Sequence, residues 1–237
     1  MKHLAIYYIA TSNYKMGLQH FMKNLSSLYP SFKKTVIILS DGLEQMNNVV
    51  GDNITYKTYH IDHFPWPIVT LFKMKYIYDH RIDCDYVCYF NGDLQYNPKY
   101  DTSLNKIDLS KLNVSRHFYT DPNLEYDNKK FENVAPNSQA YIDHNYKYVN
   151  SGLFIGPSDI VYKMCKDVSE MCETDLKNNI IPQWHDESYL NKWVQSHLDK
   201  VAPLVQLISY KSFDVQKPFA LIETIKKDKT TEWRLES

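Results

Sequence analysis

"DYVCYFNGD", residues 85–93, decides how the chain is read. Its apolar run, Val87 to Phe90, spills into Asn91, Gly92 and Asp93. A short apolar run ended by turn residues reads as a strand buried on both faces, the kind found in parallel sheets. Working outward, "HLAIYYIA" (3–10) and "KTVIILSDG" (34–42) have the same character, and "NITYKTYHI" (53–61) alternates as a further strand. Leu18, Phe21, Met22, Leu25 and Leu28 recur at threes and fours, and so do Leu71, Met74, Ile77 and Tyr78 within "TLFKMKYIYDHRI" (70–82). Both predict amphipathic helices. Strand, helix, strand, strand, helix, strand predicts an α/β fold with a mostly parallel central sheet flanked by helices.

The second half is less regular. "NVSRHFYT" (113–120) reads as a strand and 120–137 as a polar loop. "SDIVYKMCKDVSEMCETDL" (158–176) reads as a helix, with Ser158 as N-cap and Ile160, Met164, Val168 and Met171 as its buried stripe. "DESYLNKWVQSHL" (186–198) is a second helix, opened by two carboxylates that suit its positive end. The tail from Lys217 is rich in lysine and loosely patterned. With 237 residues and no internal repeat, the chain is expected to form one domain over 1–237.

Composition removes several functions. A net charge of −1 supplies no basic field for nucleic acid. No run of about 18 apolar residues is present, so no membrane span is expected. The first apolar stretch is read as a strand rather than a signal segment. Cys84, Cys88, Cys165 and Cys172 match no zinc spacing and imply no disulfide frame, so a cytoplasmic location is the default expectation. The 20 Tyr, 4 Trp and 10 Phe suit stacking on sugar rings or bases, and core packing explains any single one equally well.

Ligands in open α/β sheets sit beyond the carboxyl ends of the strands, where Asn91, Gly92 and Asp93 fall. Asp93 could hold a divalent ion with diphosphate oxygens and waters. Asn91 could hydrogen-bond a ribose hydroxyl or water, and Gly92 allows close backbone approach. An Asn-Gly turn explains the same residues without a ligand.

A second cluster is more specific. "IIPQWHDESYLNKW" (180–193) places Trp184, His185, Asp186 and Glu187 together at a helix start. Capping accounts for acids in a first turn, but not for Trp-His immediately before them. Trp184, His185, Asp186, Glu187, Ser188, Leu190, Asn191 and Lys192 resemble the "WHDES.LNK" motif of glycosyltransferase family six, whose members include histo-blood-group A and B transferases and α1,3-galactosyltransferases. "SQAYI" (138–142), "FY" (118–119) and "YIATSNY" fall in the family's order, so the resemblance covers roughly residues 3–230. The absence of a transmembrane stem resembles the bacterial branch.

The resemblance implies a GT-A-like fold. It also implies retaining α1,3 transfer of galactose or N-acetylgalactosamine from a UDP-sugar to a galactoside, often fucosylated. By this likeness Glu187 lies beneath the anomeric carbon, where a carboxylate either attacks or stabilises an oxocarbenium-like centre. Asp186 would hold donor-sugar hydroxyls, and Asn150, Ser151 and Gly152 would stand at the donor-selecting triplet. Small residues there favour N-acetylgalactosamine while leaving galactose open, and Gly152 also reads as a tight strand turn. Ile9, Ala10, Tyr14, Trp66 and Lys73 would contact the nucleotide, together with Asn91, Gly92 and Asp93. Lysine at 73, where the family usually has arginine, cannot present a bidentate fork to phosphate. Lys226, Lys227 and Arg234 would belong to a C-terminal lid over 217–237, although a solvated tail explains them too. Trp184, His185, His117 and Tyr119 would seat the acceptor.

The chain departs from the family in two places. Asn91-Gly92-Asp93 stands between the Asp-x-Asp of vertebrate members and the Asn-x-Asn of bacterial ones. Transfer is therefore expected without added metal, rising with manganese or magnesium. The family's "HPGFY" reads "SRHFY" here, with Ser115 at its first histidine and His117 displaced, and its "YERR" finds only Lys129 and Lys130 as counterparts. Two other readings remain open. One is an inactive UDP- or glycan-binding module on the same fold. The other is a metal-dependent phosphohydrolase built on Asp93, Asp186 and Glu187, which needs more clustered ligands than the sequence offers. A serine hydrolase lacks its Gly-x-Ser-x-Gly elbow.

Overall fold

A computed structural model describes residues 1–11, 18–22, 25–42, 53–92, 94–96, 107–117, 124–204, 207–209 and 222–224. The strands are β1 His3–Ile9, β2 Lys33–Ser40, β3 Ile54–His60, β4 Tyr86–Phe90, β5 Leu94–Tyr96, β6 Asn113–Arg116, β7 Val149–Pro157, β8 Ile208–Ser209 and β9 Ile222–Thr224. The helices are α1 Leu18–Met22, α2 Ile68–Leu71, α3 Lys73–Asp79, α4 Asn128–Phe131, α5 Ser158–Lys177 and α6 Asp186–Ser196. A six-stranded sheet runs in the order β3-β2-β1-β4-β7-β6, and a small sheet runs β5-β9-β8. The pairings β3–β2, β2–β1 and β1–β4 are parallel, while β4–β7 and β7–β6 are antiparallel. This is the α/β, GT-A-like arrangement the sequence implied.

Successive side chains of a strand point to opposite faces, so a strand covered on both faces must be apolar throughout. β1 meets that demand. Ala5, Tyr7 and Ile9 enter one core with Met74, Ile77, Met164, Val168, Leu190 and Trp193. Leu4, Ile6 and Tyr8 enter the other with Phe21, Leu25, Val36 and Ile38. Helices α3, α5 and α6 therefore cover one face and α1 helps to cover the other.

Several expectations need correction. Ser158 does not cap α5: its hydroxyl donates to the Cys84 carbonyl at 2.6 Å, and Pro157 precedes the first turn. The buried stripe of α5 is rotated from the one expected. Val161, Cys165 and Cys172 join Met164 and Val168, whereas Ile160 and Met171 are only partly buried. The helix expected over 70–82 is broken at Phe72, which ends α2 and starts α3. The nine-residue β7 lies where the sequence suggested a turn at Gly152. Asn150, Ser151 and Gly152 look like turn residues, but Leu153, Phe154 and Ile155 pair with Phe90, Tyr89 and Cys88 and carry the polar triplet into the sheet. Among the described residues no helix is long and apolar enough to cross a membrane.

Close approach fixes one residue type on β7. A Cβ added at Gly156 would lie 2.9 Å from the Leu112 Cα and 3.1 Å from the Lys111 carbonyl oxygen, both backbone atoms. Gly156→Ala is expected to cost about 1–3 kcal/mol by overpacking. Thermal unfolding should show the loss as a Tm lowered by several degrees.

Candidate active site

The carboxyl end of β4 and the first half of β7 lie side by side at one end of the strands, inside the sheet. Beyond the Phe90–Leu153 pair, the Asn91 N–H donates to the Gly152 carbonyl at 2.8 Å. The Tyr89 hydroxyl donates to Asn91 Oδ1 at 3.0 Å, and the Tyr8 hydroxyl donates to the Gly92 carbonyl at 2.6 Å. The Asn-Gly corner is thus tied to β1, β4 and β7. Within the triplet, the Gly152 N–H donates to Asn150 Oδ1 at 2.7 Å, which turns the Asn150 side chain back onto its own strand.

Helix α6 brings the second cluster to this end of the strands. Asn191 makes the connection. Its Oδ1 accepts from the Val149 N–H at 2.9 Å, and its Nδ2 donates to the Val149 and Glu187 carbonyls, each at 2.9 Å. The side chain acts as a neighbouring strand would towards β7 while closing on its own helix. One turn earlier, Glu187 Oε2 accepts from the Ser151 N–H at 2.8 Å. Sequence positions near 91, 151 and 187 therefore converge where β4, β7 and α6 meet.

Charge at this junction is arranged in depth. Lys73, the first residue of α3, is buried, and its Nζ lies 2.6 Å from Asp186 Oδ2. The same ammonium donates to the Ser151 carbonyl at 3.1 Å and to Ser151 Oγ at 3.0 Å, and sits 5.0 Å from the centre of the Tyr89 ring. Lys73 thus serves Asp186 and β7 from within. Burial pushes the Glu187 carboxyl up to about 7, and the nearby Asp186 charge adds to this. The Ser151 N–H and the Lys73 charge oppose the shift. The buried Tyr148 hydroxyl interacts with Glu187, but makes no well-aligned hydrogen bond there.

Aromatic rings border the acid. Trp66 is exposed and packs edge-to-face against His185, with centroids 4.7 Å apart. His185 itself has φ 49° and ψ −119°, a conformation costly for a residue with a side chain. Burial lowers its pKa, against the pull of Asp186. Trp184 is exposed, and its Nε1–H donates to the Phe131 carbonyl. Phe131 stacks on Tyr148 at 5.1 Å, and His117 leans on Phe131 at 4.4 Å.

Of the residues expected to act here, Asn91, Gly92, Asn150, Ser151, Gly152, Lys73, Asp186 and Glu187 gather around β7 and the start of α6. Trp66, His185, Trp184 and His117 line the aromatic side. Ile9 and Ala10 lie at the end of β1 in the two apolar cores, with Ala10 held by the Leu39 carbonyl and the Ser40 hydroxyl. Asp93, Tyr14, Tyr119, Lys226, Lys227 and Arg234 lie outside the described residues. Ser115 faces inward, where its Oγ accepts from the Leu207 N–H at 3.0 Å. Lys129 is exposed on α4. Tyr148, the clamp made by Asn191 and the acid Glu132 were not singled out from the sequence. The Asn191 amide lies in the quoted motif, one helical turn beyond Glu187, and that spacing was its only signal.

No group of three or more His, Cys, Asp or Glu among the described residues could hold a metal ion. Asp186 is already paired with Lys73, so these residues alone do not make a metal centre.

A junction that presents a half-buried carboxylate at a helix start, bonded to a strand of small residues and beside exposed aromatic rings, suits an enzyme that transfers sugars. The sequence profile of glycosyltransferase family 6 matches residues 6–215, and the chain belongs to that family.

Two expectations follow from the geometry. A carboxyl whose pKa rises on folding holds its proton more tightly folded than unfolded. Its contribution to stability is full below the ordinary value of 4.5 and is lost as pH climbs through about 7. Glu187→Gln should therefore stabilise the fold at pH 8, by something on the order of 1 kcal/mol, with the gain vanishing below about pH 4.5. Denaturant melts at the two pH values check it. Asn191→Asp keeps the acceptor for the Val149 N–H but loses both donors and buries a charge against two carbonyls. It should cost about 2–4 kcal/mol, measured by urea unfolding.

Proposed function

We propose that this glycosyltransferase moves N-acetylgalactosamine or galactose from UDP in α1,3 linkage to a galactoside, with retention at the anomeric carbon. One observation carries the reading: Glu187 is hydrogen-bonded at 2.8 Å to the backbone of Ser151, the middle residue of the putting-in-place triplet 150–152. The acid and the residues that would select the donor sugar are thereby parts of one unit. With the sugar over the triplet, the ionised Glu187 meets the positive charge that grows at C1 as the bond to UDP breaks. With its carboxyl raised to about 7, activity should set in as the pH climbs through 7 and fall at lower pH as Glu187 takes up a proton.

Asp186 would accept from donor-sugar hydroxyls while Lys73 balances its charge. The small Ser151 and Gly152 favour the larger N-acetyl sugar. Asn91 and Gly92 would border the nucleotide, and Asp93 and Trp66 would contact it. Lys226, Lys227 and Arg234 would supply positive charge to the leaving diphosphate. Manganese or magnesium, held through Asp93, would assist without being required. Trp184, His185 and His117, with Tyr119, would offer ring faces and a polar edge to the galactoside, which carries fucose in the favoured form. A cytoplasmic site of action fits this reading.

The test is incubation with UDP-galactose and with UDP-N-acetylgalactosamine, each against 2′-fucosyllactose and lactose, with products weighed by mass spectrometry. Transfer should persist in chelator and rise with manganese. Glu187→Gln should lower transfer by on the order of a hundredfold or more while UDP still binds. UDP binding without transfer by the unmodified protein would instead favour a binding module.

A further inference from the structure

Glu132 lies just past α4 and outside every role assigned above. Its carboxylate is partly buried, and its pKa is raised by that burial. The Tyr146 hydroxyl donates to Oε1, and Ser188 Oγ donates to Oε2 at 2.6 Å. Ser188 follows Glu187 on α6, and Glu132 follows Phe131 at the end of α4. The acid therefore joins the element that carries the Phe131 ring to the element that carries the reacting carboxylate.

Helix α4 has four residues, too few to hold a position by its own hydrogen bonds. Side chains hold it instead. Asp127 pairs with Arg116 at 2.8 Å and accepts from the Tyr148 N–H at 2.6 Å, which ties the start of α4 to the sheet. Asn128 Oδ1 accepts from the Tyr146 N–H at 3.0 Å. Two links run from the far end of α4 towards α6: Glu132 to Ser188, and the Phe131 carbonyl to the Trp184 indole. Both reach the first turn or its approach, on either side of Asp186-Glu187. Tyr148 lies between, feeling the charges of both Glu187 and Glu132 while its ring stacks on Phe131.

We infer that Glu132 is a positioning residue that locks the aromatic acceptor seat of Phe131, His117 and Trp184 in register with Glu187. The inference rests on the reading that these rings seat the acceptor. A carboxylate suits the task because both of its oxygens accept from a neutral hydroxyl, so the two hydroxyls are oriented by one charged group. Without it, the seat shifts relative to the acid, while donor and acid keep their own contacts through Ser151 and Lys73. Transfer to a sugar should then suffer more than donor hydrolysis, for which water is the acceptor.

The experiment compares Glu132→Ala, Glu132→Gln and Ser188→Ala with the unmodified protein on the four donor–acceptor pairs named above. In Glu132→Ala the acceptor KM should rise about tenfold, the scale of one lost charge-assisted hydrogen bond. Donor hydrolysis should stay within about twofold of the unmodified protein. Glu132→Gln, which keeps one accepting oxygen, should recover part of the loss. The Ser188→Ala and Glu132→Ala effects should not add, because both break one link. A second readout needs no substrate: amide exchange in Glu132→Ala should quicken together over residues 128–132 and 184–188. Transfer and hydrolysis falling in parallel at unchanged acceptor KM would overturn the inference, and so would quickened exchange confined to 128–132. Inactivity of the unmodified protein on all four pairs would count against the functional reading, and the exchange result would then decide the coupling by itself.

Discussion

The site depends on one amide. Asn191 is completely buried and meets three backbone groups, two on Val149 of β7 and one on Glu187 of its own helix. A buried amide with every partner in place contributes modestly, about 0.5–1.5 kcal/mol net per bond, but leaving such groups unpaired costs more than that. The clamp is therefore strongly specifying: α6 cannot slide or rotate against β7 without stranding polar atoms. Because Glu187 lies one turn from Asn191, fixing the clamp also fixes where the carboxylate meets Ser151.

Around that clamp the protein holds charge in an environment that disfavours it. Lys73 and Asp186 are both buried, and burying an ion pair rarely gains stability over apolar residues of the same size. The pair gains further bonds from Ser151, so the lysine holds the helix start and the triplet strand together as well as neutralising one acid. Among the described residues Glu187 has no cation so close. Its raised pKa expresses that difference: two neighbouring carboxylates, one matched by an ammonium and one left to titrate near neutrality. Environments that separate two acids in this way are a common basis for dividing roles between them. The left-handed backbone at His185 is another local cost at the same turn.

The sequence disclosed the parts of this design that depend on local pattern. Apolar runs marked β1, β2 and β4 because both faces of those strands are covered. The Trp-His-Asp-Glu cluster marked the site because capping alone does not call for it. What stayed hidden depends on pairing between distant segments. β7 escaped because Asn150, Ser151 and Gly152 have turn character, and only pairing with distant segments, β4 along 153–157 and β6 at Asn150, makes the stretch strand. The stripe of α5 was misplaced because Ile160 and Met171 are apolar yet lie at the margin of the core, while Cys165 and Cys172 pack within it. Lys73 read as a phosphate contact by its likeness to the family's arginine, and its pairing with Asp186, 113 residues further on, had no local signal. Glu132 looked like an ordinary acid in a polar loop, since its partners stand 14 and 56 residues away.

Two acids flank Tyr148, and they differ in a way that matters for chemistry. Glu132 has both oxygens engaged by hydroxyl donors from the protein. Glu187 has a backbone donor on Oε2, and Tyr148 interacts with it without an aligned bond. A carboxylate with both oxygens engaged is suited to hold structure, while one with capacity remaining is suited to meet a new positive centre. Under the proposed function the same chemical group would do two jobs according to how many donors the fold supplies. Tyr148 joins them: its ring belongs to the stacked aromatic face, and its hydroxyl stays protonated between two acids. Under the proposed function, an acceptor resting on that face would press on the ring whose hydroxyl addresses Glu187, so the seat for one substrate and the acid for the other would be mechanically adjacent.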